Sequence, residues 1–428
     1  METIFAQATA MGRAGVSVVR ISGPNAQCAC LALAGDVPKP RFAAYRKLWG
    51  ADGDFVDQAL VFFFESPASF TGDDVVELHL HGSIAITRRI LTELSLMEGF
   101  RLAEPGEFTR KALENGKLDL TQVEGLSDLI DAETEAQRKQ ALRVLDGELG
   151  AQVEIWRSKL IRAAALLEAT IDFADEDVPV DVSSEVRDLL GGVRQDLEGQ
   201  IAGTSAAERI RLGFEVAIIG EPNVGKSTLL NRLAGREAAI TSNIAGTTRD
   251  VIEVRMEIGG LPVTLLDTAG IRESSDEIEK IGIDRALSRA GNADLRVVML
   301  EQGSAAPVRL ETSDIVIHPK ADLTGEPFPF VSGLSGSGID ELLARIGQRL
   351  TEMAAGAGLA THLRHSQAMT DALVGLLACL ELLDSGPDAY DLAAEELRIG
   401  VRSLEALVGL IDVETLLGEI FANFCVGK

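Results

Sequence analysis

Aromatic residues are scarce in this 428-residue chain: 4% of the total, with only two Trp and two Tyr. Aromatic stacking platforms therefore cannot dominate any RNA contact it makes. Basic residues are also short, 40 Lys and Arg against 66 Asp and Glu, for a formal net charge of −26. A generic affinity for phosphate backbones is excluded, because such binding needs an excess of cations. Only local clusters such as Arg88-Arg89 and Arg110-Lys111 remain to assist. Cysteines number four: Cys28, Cys30, Cys379 and Cys425. They form no Cys-x-x-Cys pair, and their spacing suggests neither a disulfide framework nor a zinc site. A reducing cytoplasm fits best. Long hydrophobic runs are missing too. The longest, 372–380, has nine residues, against roughly 18 for a membrane span. No membrane association and no signal peptide are expected.

What is present is ordinary globular usage, 46% hydrophobic and 25% charged, and the length suggests about three domains. Residues 1–116 mix strands and helices. Strands are expected over 16–21, 59–64 and 75–80, with Val76, Leu78 and Leu80 on one face and Glu77, His79 and His81 on the other. A helix follows over 84–96. From 117 the pattern turns helical. Val153, Trp156, Leu160, Ala164, Leu167 and Ile171 recur at steps of three and four, on one helix face. The acidic stretch 172–177 reads as a solvated loop. Residues 212–352 alternate strand and helix, the pattern of a parallel sheet. Helices return over 363–383 and 392–411. A helical region is thus interrupted by an inserted α/β unit, and its two halves are expected to pack together.

The insert opens with the apolar strand 214–219, followed by Gly220-Glu-Pro-Asn-Val-Gly-Lys-Ser-Thr228 and a helix. This is G-x-x-x-x-G-K-S in its required setting. Glycine lets backbone N–H groups curl around a phosphate, and the helix N-terminus adds positive dipole. Lys226 suits the β/γ charge, and the Ser227 hydroxyl suits magnesium. Then come Gly246-Thr-Thr-Arg-Asp250, a hairpin turning at Gly259-Gly260, and Asp267-Thr-Ala-Gly270 at a strand's C-terminal end. Later, Pro319-Lys-Ala-Asp322 offers a carboxylate that can accept two hydrogen bonds from guanine, and Ser332-Gly333 is a further base contact. Over 212–350 this set resembles the translation-factor class of GTPases. That class has Asn-Lys-x-Asp where this chain has Pro319. The stretch 301–313 is also short for a crossover helix, so a trimmed G domain is expected.

The ends narrow the resemblance. Thr3-Ile-Phe-Ala-Gln-Ala-Thr9, Val19-Arg-Ile-Ser-Gly23, Pro105-Gly-Glu-Phe-Thr-Arg110, Asn115-Gly-Lys-Leu-Asp-Leu120 and Phe424-Cys-Val-Gly-Lys428 together resemble the tRNA modification GTPase MnmE (TrmE) family. The resemblance implies an α+β folate-binding and dimerisation domain over 1–116. It implies a helical domain over 117–211 and 353–428, interrupted by a Ras-like P-loop G domain over 212–352. It implies a potassium-activated GTPase working with an FAD-dependent, NADH-using partner, MnmG, in a heterotetramer built on a homodimer. Together they would attach an aminomethyl or carboxymethylaminomethyl group to carbon 5 of the wobble uridine of certain tRNAs. The one-carbon unit would come from a tetrahydrofolate derivative, 5,10-methylene or 5-formyl in form.

Residue by residue, the resemblance implies GTP contacts at Asn223, Val224, Gly225, Lys226, Ser227 and Thr228. It adds Ser242, Asn243, Ile244, Ala245, Gly246, Thr247 and Thr248, then Asp267, Thr268, Ala269 and Gly270, and finally Lys320, Asp322 and Ser332. Magnesium falls to Ser227 and Thr248; potassium to Asn223, Ser242, Ile244 and Thr247. Glu279 would orient the attacking water, and Cys425 would serve the modification chemistry. Arg20, Glu77, Lys117 and Lys428 match the folate contacts. Two rivals stand beside this reading. One is a ribosome-assembly or regulatory GTPase switch without RNA chemistry. The other is an iron enzyme using Glu77, His79 and His81.

Overall fold

Apolar and polar residues alternate through 75–81, and the strand they form lies inside a mixed sheet. The structure is a computed structural model that describes residues 2–172, 182–236, 253–267 and 291–411, with 420, 421, 424 and 427. It divides into two units, Met1–Ser127 with Glu405–Lys428, and Asp128–Leu404.

The first unit holds β1 (Thr3–Gln7), β2 (Val16–Ser22), β3 (Ala44–Trp49), β4 (Phe55–Phe64), β5 (Val75–His81) and β6 (Phe100–Leu102), in the order β3-β4-β5-β2-β1-β6. All pairs are antiparallel except β1 with β6. One face is buried beneath helices Ala26–Ala34 and Ile84–Ser95. Val19, Ile21, Val61, Val76 and Leu78 on the sheet, and Leu33, Ile90 and Leu94 on the helices, are essentially inaccessible. Each such side chain contributes about 1.5–3 kcal/mol by leaving water. The other face carries the row Arg20, Glu77 and Phe62, adjacent across β2, β5 and β4. The C-terminal segment belongs to this unit. Phe421 and Phe424 cluster with Val123 and close over Gly106. Gly106 has φ 68°, and a Cβ there would lie 2.6 Å from the Phe421 ring.

In the second unit a capping box of Thr134 and Gln137 starts helix Glu135–Leu145. Helices Glu148–Asp172, Ser183–Leu212 and Leu363–Asp384 follow, with the greater part of Tyr390–Val408. Val153, Trp156, Leu160, Ala164 and Leu167 are buried as the spacing predicts, whereas Ile171 in the last turn is 41% exposed. The helices on either side of the insert do pack together. Leu359 N–H donates to Gln200 Oε1 at 2.8 Å, Arg211 Nε donates to the Thr361 carbonyl at 2.9 Å, and Arg187 pairs with Asp384 at 2.6 Å. Among the described residues, Leu363–Asp384 is the one helix long and apolar enough to cross a membrane. Its apolarity has a local use: Met369, Ala372, Leu376, Cys379 and Leu383 are buried in the helical core. Gly375 lets the Tyr390–Val408 backbone approach so closely that a Cβ would sit 2.7 Å from the Glu396 carbonyl.

The insert contains β7 (Phe214–Gly220), β8 (Glu253–Ile258), β9 (Leu261–Asp267), β10 (Leu295–Met299), β11 (Ile315–Pro319) and β12 (Phe330–Val331), ordered β12-β11-β10-β7-β9-β8. Only β8 runs antiparallel to its neighbour. It is joined to β9 by Gly259 and Gly260, both at positive φ (62° and 82°), as the tight hairpin requires. Between β10 and β11, residues 300–314 form turns and no helix, so the crossover is trimmed as expected. Arg296 on β10 ties it down with two hydrogen bonds of 2.8 Å to Asp314.

Candidate functional site

The parallel strands β7, β9, β10, β11 and β12 all end at one edge of the sheet, where ligand-binding loops belong in an open α/β fold. At the end of β7, Gly220 abuts β10, where a Cβ would stand 2.7 Å from the Met299 carbonyl. The loop then turns through Asn223 at φ 63° and Gly225 at φ 111°, before helix Lys226–Ala234 begins. A non-glycine residue in the left-handed region is uncommon, and here it helps curl successive N–H groups into a nest.

Lys226 is 4% exposed, and its Nζ donates to the Gly220 and Glu221 carbonyls at 2.6 and 2.8 Å. Burial lowers its pKa from the usual lysine value, and the Asp267 carboxylate opposes that shift. Ser227 Oγ donates to Asp267 Oδ2 at 3.0 Å, and Asp267 is 2% exposed at the end of β9. A hydroxyl and a carboxylate side by side are hard oxygen donors of the type magnesium takes. Asn223, Val224, Gly225, Lys226, Ser227 and Thr228 are therefore gathered in one turn with Asp267 beside it.

The segments expected to read the base lie at the same edge. Lys320, at φ 65°, follows β11 and pairs with Glu301 at 2.7 Å. Asp322 is exposed on the short helix Ala321–Thr324. Ser332 follows β12, 1% exposed, and its neighbour Gly333 presses on the backbone of Thr228 and Leu229. Sequence reasoning missed Glu301 as the residue holding Lys320. No local pattern marks it, because the pair spans the helix-free crossover.

In the other unit, Arg20 Nε donates to Glu77 Oε1 at 2.9 Å. The guanidinium lies 5.5 and 5.7 Å from the Phe70 and Phe108 ring centres. Its Nη1 is 3.5 Å from the Gly427 carbonyl. Gly427, at φ 102°, sits where a Cβ would be 2.2 Å from the Gln7 carbonyl. A charged pair flanked by rings on a sheet face fits a flat heterocycle bearing N–H donors and an acidic tail. Lys117 is exposed after helix Glu107–Glu114, with its N–H on the Ala112 carbonyl at 2.7 Å. Phe70, Phe108 and Gly427 were not foreseen, since only the fold brings them to Arg20.

The iron reading of Glu77, His79 and His81 finds no support. His79 Nε2 is 3.3 Å from Glu77, but His81 Nδ1 is committed to Asp57 at 2.7 Å. Among the described residues no three His, Cys, Asp or Glu converge for a metal. The basic clusters are partly spent as well: Arg89 pairs with Asp52 and Glu93, and Lys111 with Asp73. Ser242, Asn243, Ile244, Ala245, Gly246, Thr247, Thr248, Thr268, Ala269, Gly270, Glu279, Cys425 and Lys428 lie outside the described residues, as does most of the acidic stretch after Asp172.

Known proteins resemble this chain over its whole length. The model of the GTP-binding protein TrmE N-terminus matches residues 3–117, and that of the MnmE helical domain matches residues 120–425. A protein of Roseobacter denitrificans named tRNA modification GTPase MnmE is 60% identical over 428 residues, covering 100% of each chain. One of the same name from Ruegeria pomeroyi is 60% identical over 429 residues, also covering 100% of each. Among solved structures, Aquifex aeolicus Era bound to GDP·AlF4− is 30% identical over 32% of this chain and 56% of that one, with a TM-score of 0.25, too low to carry any inference. With a family model spanning more than half its length and full-length relatives at 60% identity, the chain belongs to the MnmE family of tRNA modification GTPases.

Proposed function

We propose that this chain hydrolyses GTP and, with the FAD-dependent partner MnmG, adds an aminomethyl or carboxymethylaminomethyl group to carbon 5 of the wobble uridine of certain tRNAs. The observation that carries the nucleotide half is the Lys226–Ser227–Asp267 cluster at the mouth of the phosphate loop. Ser227 and Thr248 would hold magnesium, whose charge would offset that of the phosphates. Asn223, Ser242, Ile244 and Thr247 would hold potassium, and Glu279 would orient water. Asp322 would read guanine, with Lys320 and Ser332 completing its pocket.

The Arg20–Glu77 pair supports the folate half. Glu77 can accept paired N–H donors from a pterin edge, and Arg20, Lys117 and Lys428 suit an acidic tail or a formyl oxygen. Tetrahydrofolate would supply the one-carbon unit, and FAD and NADH would act on the partner. Cys425 is assigned to the modification chemistry. The division of labour would be folate binding and dimerisation over 1–116, helices over 117–211 and 353–428, and the G domain over 212–352. A net charge of −26 and internally paired arginines favour a tRNA grip supplied by the partner in the cytoplasm.

Mass spectrometry of tRNA nucleosides from a deletion strain tests this reading. The modified wobble uridine should disappear and return with the intact gene. Unchanged levels, together with GTP-dependent ribosome co-sedimentation, would replace it with the ribosome-assembly switch.

A further inference from the structure

The base and the phosphates of one nucleotide are read by segments about a hundred residues apart, so something must hold those segments in register. The class that this insert resembles has Asn where this chain has Pro319, and an Asn amide, with both donors and an acceptor, could bridge the two segments. Pro319 has neither a side-chain amide nor an N–H. It is buried at the end of β11, paired with Val331.

The segment 332–338 supplies another tie. Ser332 Oγ accepts the N–H groups of Leu334 and Ser335, each at 3.2 Å. Its own N–H donates to the Ser337 carbonyl, and its carbonyl accepts the Gly336 N–H, both at 2.9 Å. These bonds make the segment a closed, self-braced loop. Gly333 lies against the first turn of helix Lys226–Ala234. A Cβ there would stand 2.8 Å from Leu229 N and the Thr228 carbonyl carbon, and 2.9 Å from the Thr228 oxygen. All three are helix backbone atoms one or two residues beyond Ser227, and they cannot yield cheaply. The loop stays beside the same helix further along: a Cβ at Gly336 would stand 2.9 Å from the Arg232 guanidinium.

We propose that Gly333 is a positioning residue for nucleotide recognition: its bare Cα seats the base-reading loop on the Thr228–Leu229 backbone, replacing the tie that Pro319 cannot make. The proposal rests on the GTP reading of this site. Gly333 is not held at a positive φ, so alanine there adds bulk without backbone strain. That bulk lifts the loop from the helix and leaves Lys226, Ser227 and Asp267 in place.

The full-length protein is titrated with GDP, with inosine diphosphate, which lacks the guanine 2-amino group, and with inorganic pyrophosphate as a phosphate-only probe. Gly333→Ala should weaken GDP binding by about tenfold, the scale of one overpacked contact. It should narrow the preference for GDP over inosine diphosphate and leave pyrophosphate binding unchanged. Pro319→Asn should restore much of the loss in the Gly333→Ala background, and change affinity by less than about twofold in the parent. Unaltered GDP affinity in Gly333→Ala would overturn the proposal, as would a parallel fall in pyrophosphate binding. If Gly333→Ala does not fold, a tenfold gain from Pro319→Asn alone would overturn it too, because the amide would then be the missing tie. A parent protein that binds pyrophosphate but shows no preference for guanine would instead overturn the GTP reading beneath it.

Discussion

Single residues differ here in how far their surroundings were legible. Lys226 and Ser227 were, because a phosphate loop is local: eight consecutive residues contain the whole device. Gly427 was not, since its need for glycine comes from Gln7, at the far end of the chain. The cysteines show the same limit. Cys28 is exposed, whereas Cys30 and Cys379 are buried. Burial, reinforced by Asp36, pushes the Cys30 thiol up to about 11; burial, reinforced by Glu396, pushes Cys379 up to about 12. A raised thiol pKa makes the reactive thiolate scarce at neutral pH. Iodoacetamide at pH 8 should therefore label Cys28 and spare Cys30 and Cys379 until the protein is denatured, as read by peptide mass spectrometry. Labelling of Cys379 at the rate of Cys28 in the native protein would show that its helix packing is wrong.

Among elements, the crossover between β10 and β11 was legible as too short for a helix, but what replaces the helix was not. Its anchor is Asp314, whose side chain is 1% exposed and forks onto Arg296, itself 14% exposed. Burial, the largest single influence, raises the Asp314 pKa, but the Arg296 hydrogen bonds, the Glu311 N–H and the Arg296 charge together outweigh it and hold the carboxyl below its usual 3.8. Removing one partner of a buried pair strands the other charge. Asp314→Asn should thus cost about 3 kcal/mol at pH 7, measured by urea unfolding. The folded value lies below the unfolded one, so this stability is complete well above pH 3.8 and is lost as pH falls through the depressed value. The gap between parent and variant should narrow in acid. A loss below about 0.5 kcal/mol at neutral pH would mean that Arg296 finds water instead.

At the scale of the whole molecule, the proposed potassium site draws on Asn223 in the described phosphate loop and on Ser242, Ile244 and Thr247 beyond it, and activation would pair two G domains across their nucleotide faces. Hydrolysis should run about tenfold faster or more in potassium than in sodium at equal ionic strength, because a correctly sized cation stabilises charge developing between the phosphates. Equal rates would remove the potassium assignment. By itself the sequence determined the order of the parts, the interrupted helical region, the phosphate loop and the family, because each is written in short-range periodicity or in contiguous motifs. It also bounded the chemistry, since −26 leaves little cationic surface to grip RNA unaided. Only the tertiary structure decided which distant residues meet: Phe70 and Phe108 at Arg20, Glu301 at Lys320, and Gly333 on the Thr228–Leu229 backbone. Those meetings depend on strand order and on the close approach of backbones, and neither leaves a periodic trace along the chain.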